Sequence, residues 1–235
     1  MEGYLLVDKP KDWTSFDVVK YIRGVIARKC NVPQRKIKVG HSGTLDPFAT
    51  GLLIILVGKS YTVKAESLLK QDKTYIAEMV LDSRSDTGDS EGLIESVDYD
   101  MAMPTTDEII KCIALFKGQI EQVPPAYSAI KVNGVRAYKL ARQNIELDMQ
   151  PRKVTINIIK LMSYNYPNLT IETDVSSGTY IRSLVEDIGV ELGRCAYTKE
   201  LRRIKIGRYS IKKAIPAKTI NEYNIDSFLL GNLSE

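Results

Sequence analysis

Gly40-His41-Ser42-Gly43-Thr44-Leu45-Asp46-Pro47-Phe48-Ala49-Thr50-Gly51 runs directly into the apolar stretch Leu52-Leu53-Ile54-Ile55-Leu56-Val57. That stretch has the length and branching of a strand covered on both faces. His41 is the sole histidine of the chain, and three glycines bracket one carboxylate. The pattern describes a loop of special backbone geometry that holds Asp46 against a rigid strand, a setting that often carries chemistry. It also suits a plain glycine turn in which Asp46 is a cap or turn former. Spacing alone leaves both readings open.

Outward from this stretch, Tyr4–Val7 reads as a short strand. Thr14, with Asp17 three residues on, predicts a capped helix over about 15–29. Val18, Val19, Ile22, Val25 and Ile26 would form its buried face, leaving Lys20, Arg23 and Lys29 outside. Strands are expected near 74–81, 154–160 and 168–175; in the last, Leu169, Ile171, Thr173 and Val175 alternate with polar neighbours. Helices are expected near 106–117 and 180–192, the second stopped by Gly193. Residues 123–152, with Pro124, Pro125, Gly134, Pro151 and many basic side chains, interrupt the pattern as a protruding insertion. Ile220 to Leu230 reads as a short closing helix. The order β-α-β-β-α-insertion-β-β-α-β predicts an α+β fold with a mixed, largely antiparallel sheet.

The 235 residues, 44% of them apolar, suffice for a sizeable core. No apolar run is long enough for a membrane span, and Met1-Glu2-Gly3-Tyr4 does not open a secretion signal. Cys30, Cys112 and Cys195 are far apart and form no CxxC pair, which argues against zinc and suits a reducing cytoplasm. Net charge is only +4, but residues 1–64 carry 11 Lys/Arg against 5 Asp/Glu, and 194–218 carry 9 against 1. Residues 82–108 reverse this, with 9 acidic and 1 basic. Two basic segments on one face would suit a polyanion, although charge runs alone are equally solvated surface.

A single histidine excludes a His-rich metal site. His41 and Ser42 are neighbours, a poor start for a Ser–His–Asp triad, and no Walker A or GxGxxG sequence occurs. Asp82–Asp89 has the look of a calcium loop, but Arg84 and Leu93 occupy ligand positions, so an EF-hand fails. What remains is one carboxylate, one histidine near it, separate Tyr and Arg residues, and basic surface. An aspartate works as nucleophile or base when it is held ionised and oriented, which an arginine fork provides. Arg182, in the first turn of a helix entered through Ser177-Gly178-Thr179, is the candidate; a surface ion pair is its plain alternative. Tyr75 and Tyr180 are the aromatics against which a base lifted from its stack would be held, although a strand tyrosine such as Tyr75 is ordinarily core.

Six stretches, in order, carry a resemblance. The aspartate loop is similar to the motif around the catalytic aspartate of the TruB family of tRNA pseudouridine synthases. Leu6-Val7-Asp8-Lys9-Pro10 resembles the family's N-terminal signature, and Lys73-Thr74-Tyr75 its tyrosine segment. Pro124–Gly134 with Arg136-Ala137-Tyr138 resembles its RNA-contacting insertion. Ser177–Leu184 and Leu201-Arg202-Arg203 complete the set. The resemblance implies the pseudouridine synthase fold, a curved mixed sheet, in a catalytic domain of residues 1–210 with the insertion at about 123–152. It implies a uridine-to-pseudouridine isomerase acting in the T loop of tRNA, at position 55, with Asp46, Arg182 and Tyr75 catalytic. Arg182 would pair with Asp46 and Asp89 would join them; Tyr180 and Leu201 would line the uracil pocket. His41 would stand beside the vacated base position, and Lys9 would support the site from behind. Lys131, Arg136, Tyr138, Arg142, Arg202 and Arg203 would contact the RNA. Cofactors, metals and membranes are not expected, and the enzyme is expected to be a cytoplasmic monomer. Residues 211–235 read as a short extension, too few for the C-terminal PUA-type domain that bacterial members usually carry.

Three rivals remain from the sequence. A non-catalytic RNA chaperone on the same fold would not need Asp46, Tyr75 and Arg182 together. A hydrolase using Asp46 with a metal would need a carboxylate cluster that is not visible. An RNA-guided pseudouridine synthase has a very similar catalytic motif but normally continues into a C-terminal RNA-binding module.

Overall fold

The structure is a computed structural model that describes residues 1–132, 134–143, 145 and 147–231. Asn133, part of the insertion motif, lies outside the described residues. In chain order the strands and helices are β1 (Gly3–Lys9), α1 (Ser15–Cys30), β2 (Val39–Ser42), β3 (Thr50–Val57), α2 (Lys59–Thr62), α3 (Ala65–Leu69), β4 (Lys73–Leu81), β5 (Ser83–Ser85), β6 (Ile94–Ser96), α4 (Thr106–Leu115) and β7 (Gly118–Gln122). There follow β8 (Lys131–Val132), β9 (Val135–Arg136), α5 (Ala137–Ala141), β10 (Arg152–Asn165), β11 (Asn168–Val175), α6 (Ile181–Glu191), β12 (Ala196–Ile206), β13 (Tyr209–Ser210), β14 (Ile215–Pro216) and α7 (Ile225–Phe228). The fold is α+β, its strands mixed in direction and largely antiparallel. The chain divides into two compact units: Met1–Tyr75 with the described residues from Arg202 onward, and Ile76–Leu201.

In the first unit β3 is the hub. It pairs antiparallel with β1 from Gly3↔Val57 to Lys9↔Gly51, antiparallel with β2, and parallel with the Arg202–Arg203 end of β12. Residues Leu53, Ile55 and Val57 face Val18, Val19, Ile22, Val25 and Ile26 of α1; Leu52, Ile54 and Leu56 face Leu68, Ile206 and Tyr209. Both faces of β3 are therefore covered, which is why its sequence is apolar without alternation. Thr14 caps α1 as expected: its hydroxyl accepts the Asp17 N–H at 3.0 Å and its own N–H donates to Asp17 Oδ2 at 2.9 Å. Such a cap contributes about 1 kcal/mol.

The segment after residue 210 is part of this unit. β14 pairs parallel with β1, and Ala217, Ile220 and Ile225 are buried against α1 and β1. The closing helix expected at 220–230 is only the four residues of α7. Asn221 and Asn224 hydrogen-bond each other's backbone before it, a local turn that competes with helix.

In the second unit β10 pairs with β11 and β7, both antiparallel. α4 packs on β10 and touches α6. α4 opens with the same reciprocal cap as α1, through Thr105 and Glu108. Gly178, at φ +88°, makes the sharp entry to α6, and Gly193, at φ +71°, follows its end. The sequence reading missed β2 and β7, and expected a strand after α6 without giving it bounds. β12 carries Lys199, Glu200, Arg202, Arg203 and Lys205, which mask its strand pattern.

Candidate active site and RNA-contacting residues

Asp46 sits in a loop whose neighbours are fixed on every side. Leu45, Phe48 and Ala49 are buried while Asp46 itself is half-buried. Ser15, at the start of α1, accepts the Leu45 N–H at 2.8 Å and donates to the Leu45 carbonyl at 3.2 Å. One residue beyond the aspartate, the Pro47 carbonyl accepts from Lys9 Nζ at 3.1 Å and from the Asp12 N–H at 2.9 Å. The Ala49 N–H returns to the Asp46 carbonyl at 3.1 Å and closes the turn. The backbone is thus pinned immediately before and after the carboxylate, by residues 30–38 positions away in the chain.

The floor of the loop is Arg203. Its guanidinium donates to the Leu52 carbonyl at 2.8 Å and to the Gly43 carbonyl at 3.0 Å, and it is 1% exposed. Gly51 is what admits this strand: a Cβ there would lie 2.3 Å from the Arg203 carbonyl oxygen. Gly43, at φ +85°, turns the chain above the arginine. Arg203 was expected on the RNA. The structure corrects this, because its charge is spent on buried carbonyls of the chain. Lys9, expected to support the site from behind, is likewise fully buried, with its ammonium on the carbonyls of Pro10, Trp13 and Pro47. Lys9 holds the loop and has no surface for substrate. Arg202 is half-exposed and grips Asp8 through both guanidinium nitrogens, at 3.1 and 2.6 Å.

His41 lies in β2 opposite Ile55, half-buried, its Nδ1 without a hydrogen-bond partner among the described residues. Burial, aided by the Arg203 charge, pushes its pKa below the ordinary histidine value, so the imidazole is neutral near pH 7. Lys73 stands beside the same turn, donating to the Leu69 and Gln71 carbonyls. Burial, with Arg203 nearby, pushes its pKa down to about 8. Tyr75, two residues on in β4, is buried.

The second unit holds Asp89, Tyr180, Arg182 and Leu201. Arg182 is 3% exposed. It donates to the carbonyls of Thr87 and Tyr127, each at 2.8 Å, and lies 3.4 Å from Asp89 Oδ2. Asp89 accepts on its other oxygen from Thr87 Oγ1 at 2.7 Å and the Glu91 N–H at 3.0 Å. The guanidinium therefore has a fixed plane. Tyr180 is positioned by Gln122, which sequence reasoning passed over. The Gln122 amide accepts the Tyr180 N–H at 2.8 Å and donates to its carbonyl at 3.0 Å, standing in for a helix cap. Leu201 is buried.

Lys131, Arg136 and Arg142 of the insertion are exposed, and Arg142 lies over the half-buried Tyr138 ring, 5.7 Å from its centroid. The base of the insertion is tied to α6 through Tyr127 and Val123, which accept from Arg182 and Ser183. Among the described residues no group of three or more His, Cys, Asp or Glu could hold a metal ion, and no helix is long and apolar enough to cross a membrane.

Residues 29–181 match the family described as TruB family pseudouridylate synthase (N terminal domain). The chain is 40% identical over 231 residues to tRNA pseudouridine synthase B of Chlamydia trachomatis serovar L2, covering 97% of this chain and 91% of that protein. It is 41% identical over 233 residues to the protein of the same name from Protochlamydia amoebophila, covering 99% and 85%. For the Clostridium tetani protein the identity is 42% over 230 residues, covering 98% and 76%. Among solved structures, a Cbf5–Nop10–Gar1 complex contains a chain that is 28% identical with a TM-score of 0.65, covering 91% of this chain and 52% of that one. An H/ACA RNP bound to a substrate RNA containing 2'-deoxyuridine gives 26% and 0.64, covering 92% and 51%. The chain thus spans about half the length of those two structural relatives.

Proposed function

Because this chain belongs to the TruB family of pseudouridylate synthases, we propose that its target is the T-loop uridine of tRNA, at position 55, and that Asp46 is the essential carboxylate. Its activity is tRNA pseudouridine synthesis, an isomerisation. The bond from the ribose to uracil nitrogen breaks, the base rotates, and a bond to carbon forms in its place; nothing is oxidised or reduced. The observation that carries the assignment of Asp46 is the pinning of Leu45 by Ser15 and of Pro47 by Lys9 and Asp12. A half-buried carboxylate on a backbone fixed from both sides is preorganised for chemistry.

The remaining roles follow the family resemblance. Arg182 is a positioning residue, its plane set by Asp89, Thr87 and Tyr127. Tyr75, Tyr180 and Leu201 receive the uracil, and neutral His41 meets the RNA loop as an apolar ring with a hydrogen-bonding edge. Lys131, Arg136, Tyr138 and Arg142 take the T-arm backbone. The enzyme works as a cytoplasmic monomer without cofactor. The identities near 40% to stand-alone tRNA enzymes, against 26–28% to the RNP proteins, favour a stand-alone enzyme over an RNA-guided one.

The test is to incubate purified protein with unmodified tRNA transcript in excess chelator and to map pseudouridine. One pseudouridine at position 55 is expected. None, or modification confined to another site, would overturn the reading.

A further inference from the structure

We propose that Arg35, Lys36 and Lys38 form a second phosphate-binding surface for the substrate RNA, in the first unit and next to the aspartate loop. This rests on the reading above and adds a contact surface to it. Residues 28–64 hold seven Lys/Arg and a single carboxylate, Asp46. The fold neutralises two of the seven with acids from the C-terminal segment. Arg28 lies 3.6 Å from Glu222, and Lys29 lies 2.5 Å from Asp226. Arg35, Lys36 and Lys38 receive no such partner among the described residues, and all three are exposed. The nearby carboxylate of Glu2 is held by Ser60 at 2.6 Å.

The backbone beneath these three charges is fixed. Residues Gln34–Lys36 form a 3-10 turn closed by Lys36 N–H to Pro33 O and Ile37 N–H to Gln34 O, both 3.0 Å. The turn packs on α1, where the Gln34 amide would lie 3.5 Å from a Cβ at Gly24. At the far end, the Lys38 carbonyl accepts from Gly58 at 2.8 Å, and the Val39 carbonyl accepts from Arg23 at 3.3 Å. Three like charges are thus displayed on and just beyond a rigid turn, with no ion-pair partner among the described residues. That arrangement costs self-repulsion in the free protein and is relieved by a polyanion. A rigid display also lowers the ordering cost of binding.

The placement fits the substrate. Lys38 enters β2, and His41 follows three residues later, about 10 Å along a strand. The second basic stretch, by contrast, keeps fewer free charges than its sequence suggests, since Arg203 is buried and Arg202 is held by Asp8. The occupant is the sugar–phosphate backbone of the same tRNA whose uridine reacts.

The test compares the triple variant Arg35→Ala, Lys36→Ala, Lys38→Ala with wild type for tRNA affinity across a salt series. Each lost phosphate contact flattens the salt slope by about one unit, so a change of two to three units is expected. Kd near physiological salt should rise by at least about tenfold. Single-turnover rate at saturating tRNA and low salt should stay near wild type, as should the melting temperature. The triple variant Lys111→Ala, Lys117→Ala, Lys160→Ala removes the same charge from exposed positions of the second unit and should keep the wild-type slope. An unchanged slope and Kd in the first variant would overturn the proposal, as would an equal loss in the second, which would reduce the effect to net charge. Failure of the wild type itself to make pseudouridine would overturn the functional reading instead, and would leave the binding result to stand by itself.

Discussion

The aspartate loop and the insertion are both irregular, polar and glycine-containing, yet they are held in opposite ways. Around Asp46 the hydrogen bonds reach across the chain: Ser15 to Leu45 spans 30 residues, Lys9 to Pro47 spans 38, and Arg203 to Gly43 spans 160. The insertion is tied to α6 at its base, through Val123 and Tyr127, but beyond that base the bonds that close it are local. Ala137 N–H to Ile130 O, Tyr138 N–H to Ser128 O and Arg136 to Ala129 O each close ten residues or fewer. The contrast is between a loop fixed by the fold on both sides of its key residue and one fixed by the fold only at its base. Chemistry needs a carboxylate placed within a fraction of an ångström, whereas phosphate contacts tolerate adjustment because charge attraction is only weakly directional.

The largest effect that would break or sharpen this contrast is at Asp46. Asp46→Asn keeps the shape and the pinned backbone and removes the charge. Single-turnover pseudouridine formation should fall by at least about 10³-fold, as loss of an essential catalytic group does. Kd for tRNA should stay within a few-fold of wild type. A variant that reacts at a near-normal rate would show that the pinning serves the fold alone.

Next in size is the insertion. Replacing Lys131, Arg136 and Arg142 by Ala should raise Kd by about tenfold and flatten the salt slope by about one unit per lost contact. The rate at saturating RNA should hardly change, and an isolated T-arm stem-loop should be affected as much as whole tRNA. A loss of rate at saturation would mean that the insertion places the base as well as the backbone.

What the sequence discloses follows the range of the interaction. α1 and its Thr14–Asp17 cap are legible because the signal lies within four residues. β3 is legible because a strand covered on both faces needs an unbroken apolar run. The role of Arg203 was misjudged because a sequence shows charge but not burial. Arg203 reaches the interior only because Gly51 lets the backbone of β12 approach β3. Ser15 and Gln122 left no signal, since a buried polar side chain serving a distant backbone resembles any other serine or glutamine. Asp46, Tyr75 and Arg182 are assigned to the site through motif resemblance; spacing alone leaves Asp46 open between chemistry and a turn former.

The smallest effect tests the electrostatic cost of the pinned loop, a cost the exposed insertion escapes. Gly43 turns above two cations: a Cβ there would lie 3.4 Å from Arg203 Nη1 and 3.6 Å from Lys73 Cε. Burial, with that neighbouring charge, lowers the Lys73 pKa from 10.5 to about 8. Between pH 8 and 10.5 the unfolded chain therefore holds a proton that the folded protein has released. Stability from this group rises with pH across that window, and the full cost of keeping Lys73 charged is present below it. Lys73→Met removes the titration while keeping the aliphatic stem. The stability difference between variant and wild type should therefore move in favour of wild type by about 1 kcal/mol from pH 8 to 10.5, after allowance for solvent screening. Urea unfolding of both proteins at pH 7.5, 9 and 10.5 measures it, and titrations common to both cancel in the difference. A flat difference would mean that Lys73 keeps an ordinary pKa, because its bonds to the Leu69 and Gln71 carbonyls offset the burial; the loop would then be pinned at no electrostatic cost.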